Sequence, residues 1–319
     1  PDQLLTHESI ENALRVLLAI GGSTNAVIHL TAIAGRVGKE VSLKTLNRLS
    51  DSTPLLVNLK PSGAHYMEHF FTAGGLGAVL RELKPLLHLN CRDISGQSLE
   101  ERLKKEDSYV NHQVIRPLND PIEPQGGLVA LFGSLAPQGA ILKRSAADSS
   151  LFERKGRAIV FNSLEDLSNR IDDSKLEVKQ DDFLILQNAG PRSGTGMPES
   201  GYLPIPAKLS KAGVKDMVRI SDARMSGTAF GTIILHVTPE ASVGGPLGLV
   251  RTGDIIELSV SERRLDLNVS ENELKIRRDE FKQNPEMKEN DAKRGYAWLY
   301  QNHVMQADEG CDFDFLKAK

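Results

Sequence analysis

Cysteine and tryptophan are scarce: two Cys and one Trp in 319 residues, with aromatics at 5%. Cys91 and Cys311 lie far apart and neither sits in a C-x-x-C pair, which excludes a disulfide framework. A reducing, cytoplasmic setting is the simple reading of that usage. No apolar run approaches the roughly 20 residues that span a bilayer. Basic excess is lacking too. Lys and Arg total 39 against 42 Asp and Glu, a formal charge of -3, which argues against nucleic-acid and membrane-surface partners. Pro1-Asp2-Gln3 lacks the basic-then-apolar pattern of a secretory signal. It also lacks an initiator Met, so the chain is expected to be a piece of something longer.

Several catalytic signatures are missing as well. Gly194-x-Gly196 starts a dinucleotide fingerprint, but position 199 is Glu and Pro198 stands where a helix should begin. No P-loop, no G-x-S-x-G elbow and no H-E-x-x-H occurs. Internal repeats and low-complexity tracts are absent.

What is present is enough chain for two domains and an ordinary globular composition, 40% hydrophobic and 25% charged. Helical spacing marks residues 6–38, with Thr6 as a cap. Gly21-Gly22 interrupts it, and Ser23-Thr24-Asn25 can cap a second helix from Ala26 to Val37. This joint reads equally as a helix connection or as an anion site at free N–H groups. Further helices are expected over Ser42–Ser50 and Met67–Leu83, the latter tolerating Gly74-Gly75. Pro117, Pro121 and Pro124 then mark a boundary. Short apolar runs follow at Leu128–Phe132, Ala158–Phe161, Phe183–Leu186, Val218–Ile220, Thr232–Val237 and Ile255–Val260. They predict a sheet or barrel, with helices over Leu164–Ile171 and Ile205–Ala212. Glu280–Lys293 reads as a solvated linker or surface helix, and Gly295–His303, which holds Trp298, as a packed terminal helix.

The stretch Gln187 to Val250 is crowded with glycine, proline and small hydroxyl residues, a mixture that suits close approach of backbone to a ligand. Glu199, at the end of a glycine-rich loop, fits a hard cation such as Mg²⁺. Ser226 and Thr228 are two apart, so in an extended segment both hydroxyls face one side. A cation near Ser226 would let its alkoxide act as a base. A glycine-rich structural corner is the alternative. The scattered histidines, His236 among them, read as structural.

At these residues the sequence resembles the dihydroxy-acid and sugar-acid dehydratases, a family that includes 6-phosphogluconate dehydratase. The resemblance rests on Gly21-Gly22-Ser23-Thr24-Asn25-Ala26, Lys60-Pro61-Ser62-Gly63, Asn188-Ala189-Gly190-Pro191 and Gly196-Met197-Pro198-Glu199. It continues through Ser221-Asp222-Ala223-Arg224-Met225-Ser226-Gly227-Thr228, His236 with Pro239-Glu240-Ala241, and Cys311-Asp312-Phe313-Asp314. Leu203-Pro204-Ile205-Pro206 is closer to the sugar-acid branch (arabinonate or xylonate dehydratase).

The resemblance implies an α/β fold: the helical end of an N-terminal domain over 1–115, then a β-rich, barrel-like C-terminal domain over 116–319. It implies a hydro-lyase that turns a sugar acid into its 2-keto-3-deoxy acid. Ser226 would be the base, Thr228 its neighbour and Glu199 an Mg²⁺ ligand. Ser23, Thr24, Asn25 and Arg224 would bind substrate. It also implies an iron–sulfur cluster, [2Fe–2S] in preference, whose ligands are expected to lie outside this chain. The chain is thus expected to be the C-terminal portion of such an enzyme and inactive alone. Its partner would be a small sugar acid, and its assembly a homodimer or homotetramer. Two alternatives stay open: a branched-chain 2,3-dihydroxy acid as substrate, and a diverged, non-catalytic binding or assembly module.

Overall fold

The computed structural model describes residues 3–106, 108–194, 196–197, 203–226, 229–283 and 292–318. The chain opens with helices. α1 (His7–Ala19) starts at Thr6, whose hydroxyl accepts the Ser9 N–H while the Ser9 hydroxyl accepts the Thr6 N–H. This reciprocal cap satisfies two N–H groups that a helix start leaves unpaired. α2 (Asn25–Gly35) begins one residue earlier than the capping pattern predicts. α3 (Leu43–Ser52) is capped by Ser42.

The single helix expected over Met67–Leu83 is instead two, α4 (Met67–Thr72) and α5 (Gly75–Glu82). Gly74 breaks it, with φ 111°. A Cβ there would lie 2.7 Å from Tyr109 O, so both the backbone angle and the close approach need glycine. α6 (Leu99–Leu103) ends the helical part.

Eight strands follow: β1 (Val129–Leu131), β2 (Gly139–Leu142), β3 (Glu153–Phe161), β4 (Phe183–Leu186), β5 (Arg219–Ser221), β6 (Ile233–Thr238), β7 (Ile255–Ser259) and β8 (Arg264–Leu267). Their order across the sheet is β1-β2-β6-β5-β4-β3-β7-β8. β3 to β6 are mutually parallel, and antiparallel pairs flank them. Just past β1, Phe132 N–H donates to Arg263 O and Leu265 N–H to Phe132 O, both at 2.8 Å. These bonds join the two sheet edges, giving a nearly closed barrel.

Parallel strands buried on both faces read as continuous apolar runs. β4, Phe-Leu-Ile-Leu, is buried throughout. Its Phe183 and Ile185 join Val129, Leu142, Ile220 and Leu265 in one core that draws on strands around the barrel. Leu184 and Leu186 face the other way, into a layer with Phe161 and Leu167 from α7 (Leu164–Arg170). α8 (Ala207–Lys211) brings Leu209 to that layer.

The helical part docks on β1 and β2. Leu14, Leu18, Leu46 and Leu49 pack with Leu128 and Ile141. The Asn47 amide both donates to Ala130 O (2.9 Å) and accepts Ala130 N–H (2.8 Å). Truncating a leucine this buried, such as Leu18→Ala, costs about 2–5 kcal/mol.

At the C-terminal end, α9 (Glu271–Gln283) precedes α10 (Gly295–His303). Part of the charged stretch Glu280–Lys293 lies outside the described residues. α10 spans the predicted residues but is not packed as expected: Tyr296 is 91% exposed and no α10 residue is buried. Among the described residues no helix is long and apolar enough to cross a membrane.

Candidate active site

Because β4, β5 and β6 are parallel neighbours, the segments after them leave the barrel at one end. These are residues 187–194 with 196–197, 222–226 and 239–245, and they carry most of the glycine-rich motifs. Crevices outside the carboxyl ends of parallel strands are where α/β folds bind ligands.

Two buried carboxylates tie the segments together. Asp222, fully buried, accepts the Ala189 N–H (3.0 Å) and the Ala241 N–H (2.9 Å), so it clamps the loop after β4 to the loop after β6. Burial raises its pKa to about 7, against the lowering effect of those two N–H bonds. Glu240 accepts the Arg192 N–H at 2.9 and 3.0 Å and a Gln306 amide N–H at 2.7 Å. Gln306 Oε1 accepts the Glu240 N–H in return. Burial pushes the Glu240 carboxyl up as well. Gly190 is required beside it: an added Cβ would lie 2.3 Å from Glu240 Oε2. The sequence motifs contain both acids, but spacing alone gave no sign of their clamping role.

The helical part reaches the same end of the barrel. Asn25, the first residue of α2, donates its side-chain N–H to Met225 O at 3.1 Å, across 200 positions of sequence. Thr24 and Asn25 are buried; Ser23 Oγ accepts the Asn25 N–H. Of the predicted site residues, the structure therefore brings Ser23, Thr24 and Asn25 to the Arg224–Ser226 segment. Arg224, half-buried, donates from Nε to Met197 O at 3.0 Å. Tyr300 of α10 reaches Gly196 O at 3.5 Å. Ser226 is exposed. Glu199 and Thr228 lie outside the described residues.

Among the described residues, no three His, Cys, Asp or Glu side chains gather as a metal site. Cys311 sits 3.4 Å from Met197 Sδ, and burial pushes its thiol up to about 12. No other Cys, His, Asp or Glu groups gather with Cys311 as a metal site among the described residues. Cys91 is beside Asn12 in the helical part, and burial raises its thiol too. The described residues thus do not build a site for Mg²⁺ or for an iron–sulfur cluster. A cavity of about 630 Å³ lies between the helical part and the barrel, lined by Ser62, Gly126, Gly127, Arg144 and Ser145. Arg224 and Ser226 do not line it.

An α/β barrel with polar loops gathered at the carboxyl ends of its parallel strands has the arrangement in which such folds bind ligands. Comparison with known proteins makes the class specific. The family model described as dihydroxy-acid/6-phosphogluconate dehydratase C-terminal matches residues 113–311, and its N-terminal counterpart matches residues 1–102. The chain belongs to the dihydroxy-acid/6-phosphogluconate dehydratase family. The chain thus carries residues of both family models, the N-terminal as well as the C-terminal one. An L-arabinonate dehydratase of Rhizobium leguminosarum bv. trifolii is 47% identical over 320 residues, covering 100% of this chain and 54% of that protein. A 6-deoxy-6-sulfo-D-gluconate dehydratase of Pseudomonas putida is 49% identical, covering 100% and 55%. A dihydroxy-acid dehydratase of Caldicellulosiruptor bescii is 39% identical, covering 97% and 55%. The chain spans about half the length of these curated relatives.

Proposed function

We propose that this chain forms one wall of a dehydratase site that converts a sugar (aldonic) acid to its 2-keto-3-deoxy acid. The observation that carries the reading is the Asn25–Met225 bond, which brings the Ser23–Asn25 motif beside Ser226 at the barrel's ligand-binding end. The relatives named for arabinonate and sulfogluconate, at 47% and 49% identity, favour a sugar acid over a branched-chain dihydroxy acid, at 39%.

In this reaction Ser226 Oγ, as the alkoxide, takes the proton from C2 and passes it to the departing C3 hydroxyl, which leaves as water and regenerates the alkoxide. The resulting enol becomes the ketone by moving one proton from oxygen to C3. One water is lost, with no oxidant or reductant. Arg224, whose Nε donates to Met197 O, would pair its remaining guanidinium N–H groups with the anionic acid. The same positive charge, two residues from Ser226, favours loss of the serine proton. By the family resemblance Thr228 would be the base's neighbour, and Ser23, Thr24 and Asn25 would line the substrate side.

Mg²⁺ with Glu199 among its ligands, an iron–sulfur cluster, a cytoplasmic setting and a homodimer or homotetramer belong to the proposal through the family resemblance alone. No step is derived through metal or cluster.

The test is a panel of aldonic acids and a branched-chain 2,3-dihydroxy acid offered to the complete gene product, read as 2-keto acid formed. Turnover of an aldonic acid supports the reading. Turnover of the branched acid alone replaces the substrate. Turnover of neither favours a binding or assembly module.

A further inference from the structure

One buried side chain at this end of the barrel is left unsatisfied among the described residues. His236 is 3% exposed, and neither ring nitrogen has a hydrogen-bond partner among the described residues. Buried polar side chains are normally satisfied. Packing alone would be served as well by an apolar ring of similar size.

The backbone has moved this residue out of the regular ladder. Leu235 to Thr238 on β6 opposes Ile141 to Gly139 on β2, three steps against two, and His236 takes φ 57° within that span. Such a bulge re-aims a side chain, and bulges are over-represented next to active sites. His236 N–H donates to Ala223 O at 3.2 Å, which fixes the residue beside the Asp222–Ser226 segment. The charged and titratable neighbours that act on its ring are Arg224 and His29. His29 lies one turn after Asn25 on α2. The ring thus feels charged or titratable groups on both of the segments that the Asn25–Met225 bond joins. Burial and the Arg224 charge both hold it neutral. A neutral imidazole always offers one N–H donor and one acceptor nitrogen.

We propose that His236 is a ligand-binding residue of the Ser226 site, its neutral ring nitrogen hydrogen-bonding an oxygen of the hydroxy acid that Arg224 holds. This inference rests on the acid-binding reading of the site. A carboxylate or a protonated histidine at this position would change the charge that Arg224 presents. A neutral ring leaves it intact.

The test compares wild type, His236→Phe and His236→Asn in the complete gene product, with an aldonic acid as substrate and the melting temperature recorded. Neither nitrogen has a partner among the described residues, so removing both with Phe is expected to leave the melting temperature unchanged or raised. KM is expected to rise about tenfold, the loss of one hydrogen bond to an anion. Asn tolerates a left-handed backbone, so it serves if Phe does not fold. Its amide stops short of the ring's far nitrogen, and KM is expected to rise there also. A folded variant with wild-type KM overturns the inference alone, as does lower stability with unchanged KM. A wild type that neither binds nor turns over an aldonic acid overturns the reading of the site and this inference with it.

Discussion

Replacing Asp222 with Asn should change the pH dependence of stability in one direction only. The carboxyl titrates near 3.8 when unfolded and near about 7 when folded. Because the folded value is raised, its contribution to stability is complete below about pH 4 and is lost as pH rises through about 7. A shift of about 3 units corresponds to roughly 4 kcal/mol between the two protonation states. That figure already includes the lowering effect of the Ala189 and Ala241 N–H groups. Asn does not titrate, and its amide N–H₂ would face one of those N–H donors, which costs on the order of 1–3 kcal/mol at every pH. Denaturant unfolding of wild type and Asp222→Asn at about pH 5 and about pH 8 isolates the effect, because shared titrations cancel. Wild type should lose stability relative to the variant by about 2–4 kcal/mol between the two conditions. A constant difference between the two proteins would refute the account of a buried carboxylate without a compensating charge.

Three further outcomes follow from the same geometry. Gly190→Ala should cost about 1–3 kcal/mol, seen as a lower denaturation midpoint, because Glu240 is held on two sides and cannot move away from a new Cβ. Asn25→Ala should cost about 1–2 kcal/mol in stability and also lower kcat/KM. Loss of stability with unchanged kcat/KM would make the Asn25–Met225 bond a docking contact only. Asn47→Leu leaves the buried N–H and C=O of Ala130 unpaired. It should destabilise by about 2–4 kcal/mol, with kcat/KM of the folded fraction unchanged.

Much of the barrel was legible in the sequence, and the misses have physical causes. Phe183–Leu186 was found to the residue because a doubly buried parallel strand is an uninterrupted apolar run. β2 was missed because it is four residues long, opens on Gly139 and follows a proline turn. β8 alternates Arg264 and Asp266 with Leu265 and Leu267, so half its residues are polar and no run appears. Gly74 split a helix that its apolar spacing made continuous. At the site, the motif residues were visible as a dense glycine-rich stretch. Their assembly was not, because it depends on contacts between distant residues: Asn25 with Met225, Asp222 with Ala189 and Ala241, Glu240 with Gln306. His236 read as an ordinary structural histidine, because a bulge and an unsatisfied ring leave no mark in sequence spacing.

The central claim concerns Ser226 as the base. Ser226→Ala removes the hydroxyl of one exposed residue, a change of the size surface substitutions usually tolerate, so the fold should survive. In the complete gene product, with an aldonic acid that wild type dehydrates, the variant should form 2-keto acid at a rate lower by about 10³-fold or more, with an unchanged melting temperature. A folded Ser226→Ala protein that retains near-wild-type turnover would contradict the account.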